Sequence, residues 1–139
     1  MRLVLDTNVI VAAFRSRSGA SNLLLRFVDR GMVTPLCSTA LFLEYEAVLG
    51  REETRNATGH GLEEVATAMS ALAAMSEGVD ISFRTRPALA GATDEMVLEA
   101  ALNGRAEAIV AHNVRDFRPA LRLGVPIATP GEIVRRLNT

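Results

Sequence analysis

The opening segment Arg2-Leu3-Val4-Leu5-Asp6-Thr7-Asn8 constrains this chain more than any other stretch. Leu3 to Leu5 reads as a buried strand that delivers one carboxylate, Asp6, into a short polar turn. A buried strand has no structural use for an acid at its end. Open α/β sheets, by contrast, bind ligands at the carboxyl ends of their strands. Taken alone, Asp6 fits a turn or a helix cap equally well, so its meaning depends on what the rest of the chain brings beside it.

Strand and helix patterns alternate downstream. Arg15 to Gly19 is a polar loop, and Ala20 to Arg30 carries Leu23, Leu24, Phe27 and Val28 at helical spacing, with Gly31 as the stop. Met32 to Cys37 is a short strand weakened by Pro35. Ser38-Thr39 caps a helix from Ala40 to Leu49, Arg51 to Gly61 is a loop or frayed helix end, and Leu62 to Ser76 is helical. Val79 to Phe83 alternates like a strand, Arg84 to Ala92 is a loop, and Asp94 to Asn103 is a helix with Thr93 as its cap. Glu107 to Ala111 is a buried strand followed by a turn from His112 to Phe117. Val125 to Ile127 is a last brief strand, and Thr129-Pro130 opens a closing helix. Connections of this length suit crossovers. The expected fold is therefore α/β, a three-layer α/β/α sandwich around a mainly parallel sheet, in one domain spanning residues 1–139.

Composition narrows the function classes. With 139 residues, 49% hydrophobic, the chain can bury a sizeable core, and its net charge of -1 carries no global nucleic-acid signature. Any such contact needs a local basic patch. Cys37 is the only cysteine and lies in no metal-ligand spacing, so it reads as a small buried hydrophobe. The first apolar segment is too short and too polar for a signal peptide or a membrane span, which makes the cytoplasm the expected compartment.

Three further acids stand where packing alone would not put them. In the helix Ala40 to Leu49, Glu44 shares a face with Leu41, Tyr45 and Val48, while Glu46 points elsewhere. A carboxylate on a core face is costly without a cation or hydrogen bonds, and an arginine partner is the bland alternative. Asp94 heads the stripe of Val97, Leu98, Ala101 and Leu102, although an acid in a first helical turn is also favoured by the helix dipole. Glu95 turns about 100° away from it. Asp116 follows the strand Glu107 to Ala111, whose end should lie on the same sheet edge as Asp6; capping a short helical turn is its alternative role. His112, a lone loop histidine, reads as a hydrogen-bonding surface residue. Four acids gathered at one edge repel unless a cation compensates them. An all-oxygen set favours Mg²⁺ or Mn²⁺ over zinc and suits phosphodiester hydrolysis.

The ordered segments Leu3-Val4-Leu5-Asp6-Thr7-Asn8-Val9, Glu44-Tyr45, Asp94 with Leu98-Glu99-Ala100-Ala101, and Ile109 to Phe117 resemble the successive motifs of PIN-domain proteins. Among these the chain is most similar to the short bacterial and archaeal VapC-like toxins of toxin–antitoxin pairs. The resemblance implies a PIN-like (Rossmann- or flavodoxin-like) fold and a Mg²⁺- or Mn²⁺-dependent endoribonuclease. It implies that Asp6, Glu44, Asp94 and Asp116 bind metal and orient the attacking water. Thr7 matches a substrate-orienting hydroxyl, and Asn113 an asparagine that shapes the site. It further implies a homodimer and a cognate antitoxin. Two positions depart from the pattern: Gly91-Ala92-Thr93 stands where an Asp-Pro is common, and Ala111 where Thr is common. Both bear on substrate positioning more than on metal binding.

Arg15, Arg17 and Arg115 are candidate contacts to RNA phosphates, and Arg118, which also flanks Asp116, reads equally well as a solvated surface residue. An aspartate-nucleophile phosphotransferase is disfavoured, because Asn8 stands where a second acid is needed and the chain has no Lys. A nucleotide-binding Rossmann domain lacks its Gly-rich loop. Two alternatives remain open: a scaffold that binds RNA or protein without turnover, and a housekeeping nuclease with no antitoxin.

Overall fold

The computed structural model describes residues 1–82 and 91–138. Five parallel strands, β1 (Arg2–Leu5), β2 (Thr34–Cys37), β3 (Glu77–Gly78), β4 (Ala108–Val110) and β5 (Ile127–Ala128), pair in the order β3-β2-β1-β4-β5. β1 is the centre, with Leu3 opposite Pro35 on one side and Leu3, Val4 and Leu5 opposite Ala108, Ile109 and Val110 on the other. Leu3 to Leu5 and Ala108 to Val110 are buried at every residue. Such unbroken burial is what helices on both faces of a parallel sheet require. The expected α/β architecture, a parallel sheet flanked by helices, is the one observed. Among the described residues no helix is long and apolar enough to cross a membrane.

The helices are α1 (Thr7–Arg15), α2 (Ala20–Asp29), α3 (Thr39–Gly50), α4 (Glu52–Thr58), α5 (Leu62–Met75), α6 (Ala92–Gly104), α7 (Arg118–Leu121) and α8 (Pro130–Leu137). A 3₁₀ turn (Val114–Phe117) precedes α7. α3 begins as expected, with Ser38 Oγ accepting the Leu41 N–H at 3.1 Å. α8 likewise begins at Thr129, whose hydroxyl oxygen accepts the Glu132 N–H at 3.2 Å.

Several boundaries differ from the sequence reading, each for a physical reason. The polar turn expected after Asp6 is the first turn of α1. The β-branched run Val9-Ile10-Val11 looks strand-like, but Val9, Ile10 and Ala13 form one buried helical face once Asp6 caps it. The segment Arg51 to Gly61 contains α4, a helix that buries no residue and is closed by Gly59 at φ 78°. The strand expected at Val79 to Phe83 lies earlier, at Glu77–Gly78, and the chain leaves the sheet after the Val79 N–H bonds the Cys37 carbonyl at 3.0 Å. Phe83 and most of the expected loop from Arg84 onward fall outside the described residues. Val79 instead packs against α6, where a Cβ on Gly104 would meet its Cγ2 at 2.9 Å and Leu36 Cδ1 at 3.2 Å. Only glycine allows α6 this close to β2.

Candidate active site

Asp6 is placed by the central ladder. Its N–H bonds the Val110 carbonyl at 2.9 Å, the last rung between β1 and β4. Its Oδ1 then accepts the Thr7 N–H at 2.9 Å, so the same side chain is the N-cap of α1. The side chain is 6% exposed. Burial, then the charge of Asp94, push its pKa up to about 6; the Thr7 N–H opposes this and Asp116 adds to it. Asp94 is also raised, by partial burial first and then by Asp116 and Glu95. Asp94 bends back over the start of α6, with Oδ2 3.5 Å from the position of a Cβ on Gly91.

Asp6, Asp94 and Asp116 therefore lie within one another's electrostatic reach, brought there from β1, α6 and the 3₁₀ turn. Asp116 is exposed at the rim. Glu44, half-buried on α3, joins them through α6: its Oε1 accepts the Thr93 hydroxyl at 3.2 Å. This corrects the reading of Thr93 as a cap. α6 begins two residues earlier than expected with Gly91 as N-cap, which frees the Thr93 hydroxyl to bond Glu44.

The remaining candidates spread around this edge. Thr7 is buried, and its Oγ1 has no hydrogen-bond partner among the described residues. Asn113 is exposed at the start of the 3₁₀ turn. Arg15, Arg17 and Arg115 are exposed, the first at the end of α1, the second in the loop before α2, and the third beside Asp116. His112 is exposed and hydrogen-bonds Ser21 Oγ at 3.3 Å through Nε2, as a surface histidine should.

Two contributors escaped the sequence. Tyr45 was visible only as part of the apolar face of α3, yet its hydroxyl donates to the Leu5 carbonyl, immediately before Asp6. Burial, with Cys37 and Asp6 nearby, raises its pKa well above the usual phenol range, which keeps it a hydrogen donor. Ser21, buried beside His112, gave no signal. A hydroxyl-bearing ring amid aliphatic residues was the only sequence hint at Tyr45.

Among the described residues, no three Asp, Glu, His or Cys side chains stand already arranged as a metal cage. The donor chemistry nevertheless fits a hard divalent cation. The acids supply only oxygen, Asp6 is held against its preference to ionise, and a buried hydroxyl without a partner adjoins it. A family model of the PIN domain matches residues 2–115, a span that includes Asp6, Glu44, Asp94 and Asn113 and ends one residue before Asp116. No curated protein matches the chain. PIN domains are generally nucleases, and they generally use divalent metal ions. A match over most of the chain, on a sheet whose carboxyl edge gathers acids from three elements, makes this protein a member of the PIN-domain family.

Proposed function

We propose that this PIN domain is a Mg²⁺- or Mn²⁺-dependent endoribonuclease that hydrolyses RNA phosphodiester bonds, and that it is the toxin of a type II toxin–antitoxin pair. The observation that carries the nuclease reading is the mutual charge of Asp6, Asp94 and Asp116 at the carboxyl edge of the sheet, with Asp6 buried and raised to about 6. Asp6, Glu44, Asp94 and Asp116 would hold the ion, which when bound supplies Lewis acidity toward water and phosphate. The chain's own groups position the reaction. Asp6 is held by the Val110 carbonyl and the Thr7 N–H, and Glu44 by Thr93. Thr7 and Asn113 are assigned to orienting the substrate. Arg15, Arg17 and Arg115 are assigned to phosphates, a role suited to exposed guanidinium groups.

The toxin reading rests on the similarity of the ordered motifs to VapC-like proteins. It carries with it a homodimer, a cognate antitoxin and a cytoplasmic setting. The alternative is a binding scaffold without turnover.

The decisive experiment is cleavage of a mixed RNA pool with Mg²⁺ or Mn²⁺ and with EDTA, beside identically purified Asp6→Asn. Metal-dependent cutting by wild type alone is the expected result. Binding without cutting under every ion would favour the scaffold, and equal cutting by the variant would remove Asp6 from the mechanism.

A further inference from the structure

We propose that a cavity of about 240 Å³ between α1, α2, the segment after β4 and the start of α8 is a phosphate pocket, which holds a backbone phosphate of the RNA strand at a distance from the bond being cut. The inference rests on the RNA-cleaving reading above and adds a second contact point to it.

The walls are built for an anion. Arg15, Ser21, His112, Gly19 and Gly131 line the cavity, and among the described residues no acidic one does, in a chain with 16 acids. Among the described residues no carboxylate pairs with Arg15, which leaves its guanidinium for a ligand. Ser21 is 4% exposed and, at 3.3 Å from Nε2, ties the His112 ring to the wall. Two helices start here. No side chain caps α2 at Gly19, so its first-turn N–H groups keep their partial positive charge. At the start of α8, Gly131 leaves its wall bare, and Arg135 Nη1 folds back to 3.4 Å from the place a Cβ would occupy. An arginine, a histidine tied to a buried hydroxyl, and the uncapped start of α2 thus face one space.

Its position points to a strand rather than a free ion. Asp6 bonds Val110, and His112 follows two residues later, so cavity and acids share the carboxyl edge. α1 joins them: it starts beside Asp6 and ends at Arg15, nine residues long, or about 13 Å. At ~3.4 Å of rise per nucleotide, that spans about four stacked nucleotides, and fewer in an extended strand.

The test uses the full chain in EDTA, where nothing is cut. Anisotropy of a short fluorescein-labelled single-stranded RNA is measured against salt for wild type, Arg15→Glu, and Arg30→Glu as the same charge change at the far end of α2. Inorganic phosphate is titrated separately while backbone amides are followed by NMR. The pocket requires Arg15→Glu to weaken RNA binding about tenfold and lower the log–log salt slope by about one, with Arg30→Glu near wild type. It also requires phosphate to shift the amides of Ser21 and Gly131. Equal losses in both variants, or unmoved amides, would overturn it. Shifted amides with unchanged RNA affinity would make this a free-phosphate site and overturn the strand contact. Wild type that binds RNA through Arg15 but cuts none with Mg²⁺ or Mn²⁺ would sink the nuclease reading and leave the pocket standing.

Discussion

The hydroxyl of Tyr45 donates to the carbonyl of Leu5, the residue that hands the chain to Asp6. A helix side chain is thereby anchored to the last residue of the central strand, one peptide from the candidate catalytic acid. Tyr45→Phe removes the donor and leaves a buried carbonyl with one partner fewer. The expected loss is about 1–3 kcal/mol of stability in urea unfolding. RNA cleavage should fall more than folded fraction does, because the anchor of the Asp6 peptide is gone. Unchanged kcat in a destabilised variant would limit Tyr45 to packing.

Asp6 pays for its place in stability. Its folded-state pKa, about 6, lies above its ordinary value of 3.8. The folded state therefore favours the protonated acid, and this contribution is full below pH 3.8 and lost as pH rises through about 6. In metal-free buffer Asp6→Asn should be more stable than wild type at pH 7.5, by at most about 3 kcal/mol. The advantage should vanish near pH 3.5. Asparagine can still cap α1, so the helix start is not at risk. Thermal melts across pH check this; a variant less stable at pH 7.5 would refute it.

A divalent cation should reverse that penalty. Adding Mg²⁺ or Mn²⁺ at pH 7.5 should raise the melting temperature of wild type, since binding to the native state alone stabilises it by mass action. Asp6→Asn should respond much less, and at pH 4.5 the wild-type response should shrink as Asp6 protonates. Equal shifts in both proteins would place the ion elsewhere.

The Thr93–Glu44 bond lies at 3.2 Å in a part-buried setting, so its energetic role is small and its positional role larger. Thr93→Val should cost about 1 kcal/mol or less of stability. It should raise the ion concentration needed for half-maximal cleavage, and Thr93→Ser should restore it. A Thr93→Val enzyme with wild-type ion dependence would show that Glu44 holds its place without help.

Gly104→Ala tests the fold rather than the site. The added methyl meets Val79 and Leu36 at 2.9 and 3.2 Å, and Leu36 is fully buried. Overpacking of this kind costs about 1–3 kcal/mol. Urea denaturation measures it directly, and a neutral result would mean that the contact relaxes without cost.

What could be read from the sequence follows the strength of local periodicity. β1, β4, α3 and α6 announce themselves through unbroken apolar runs or helical stripes, and Ser38 and Thr129 through capping chemistry. α1 was hidden because its β-branched residues imitate a strand until the cap is placed. α4 was hidden because a helix that buries nothing leaves no stripe. β3 was displaced because two paired residues carry no pattern of their own. Within the candidate site, the acids stood out as charges in apolar contexts. Ser21 and His112 did not, since 91 residues separate them and only the fold joins them.

The start of α1 at Asp6 has a consequence for how this protein can exist before it acts. Asp94 lies in the first turn of α6 as Asp6 caps α1, so two of the three acids sit where peptide dipoles present their positive ends. Each such placement offsets charge by about 0.3–1 kcal/mol. The backbone thus tempers part of the repulsion that an ion would otherwise have to quench. The fold therefore seats these acids with its own backbone, and folding does not wait on an ion.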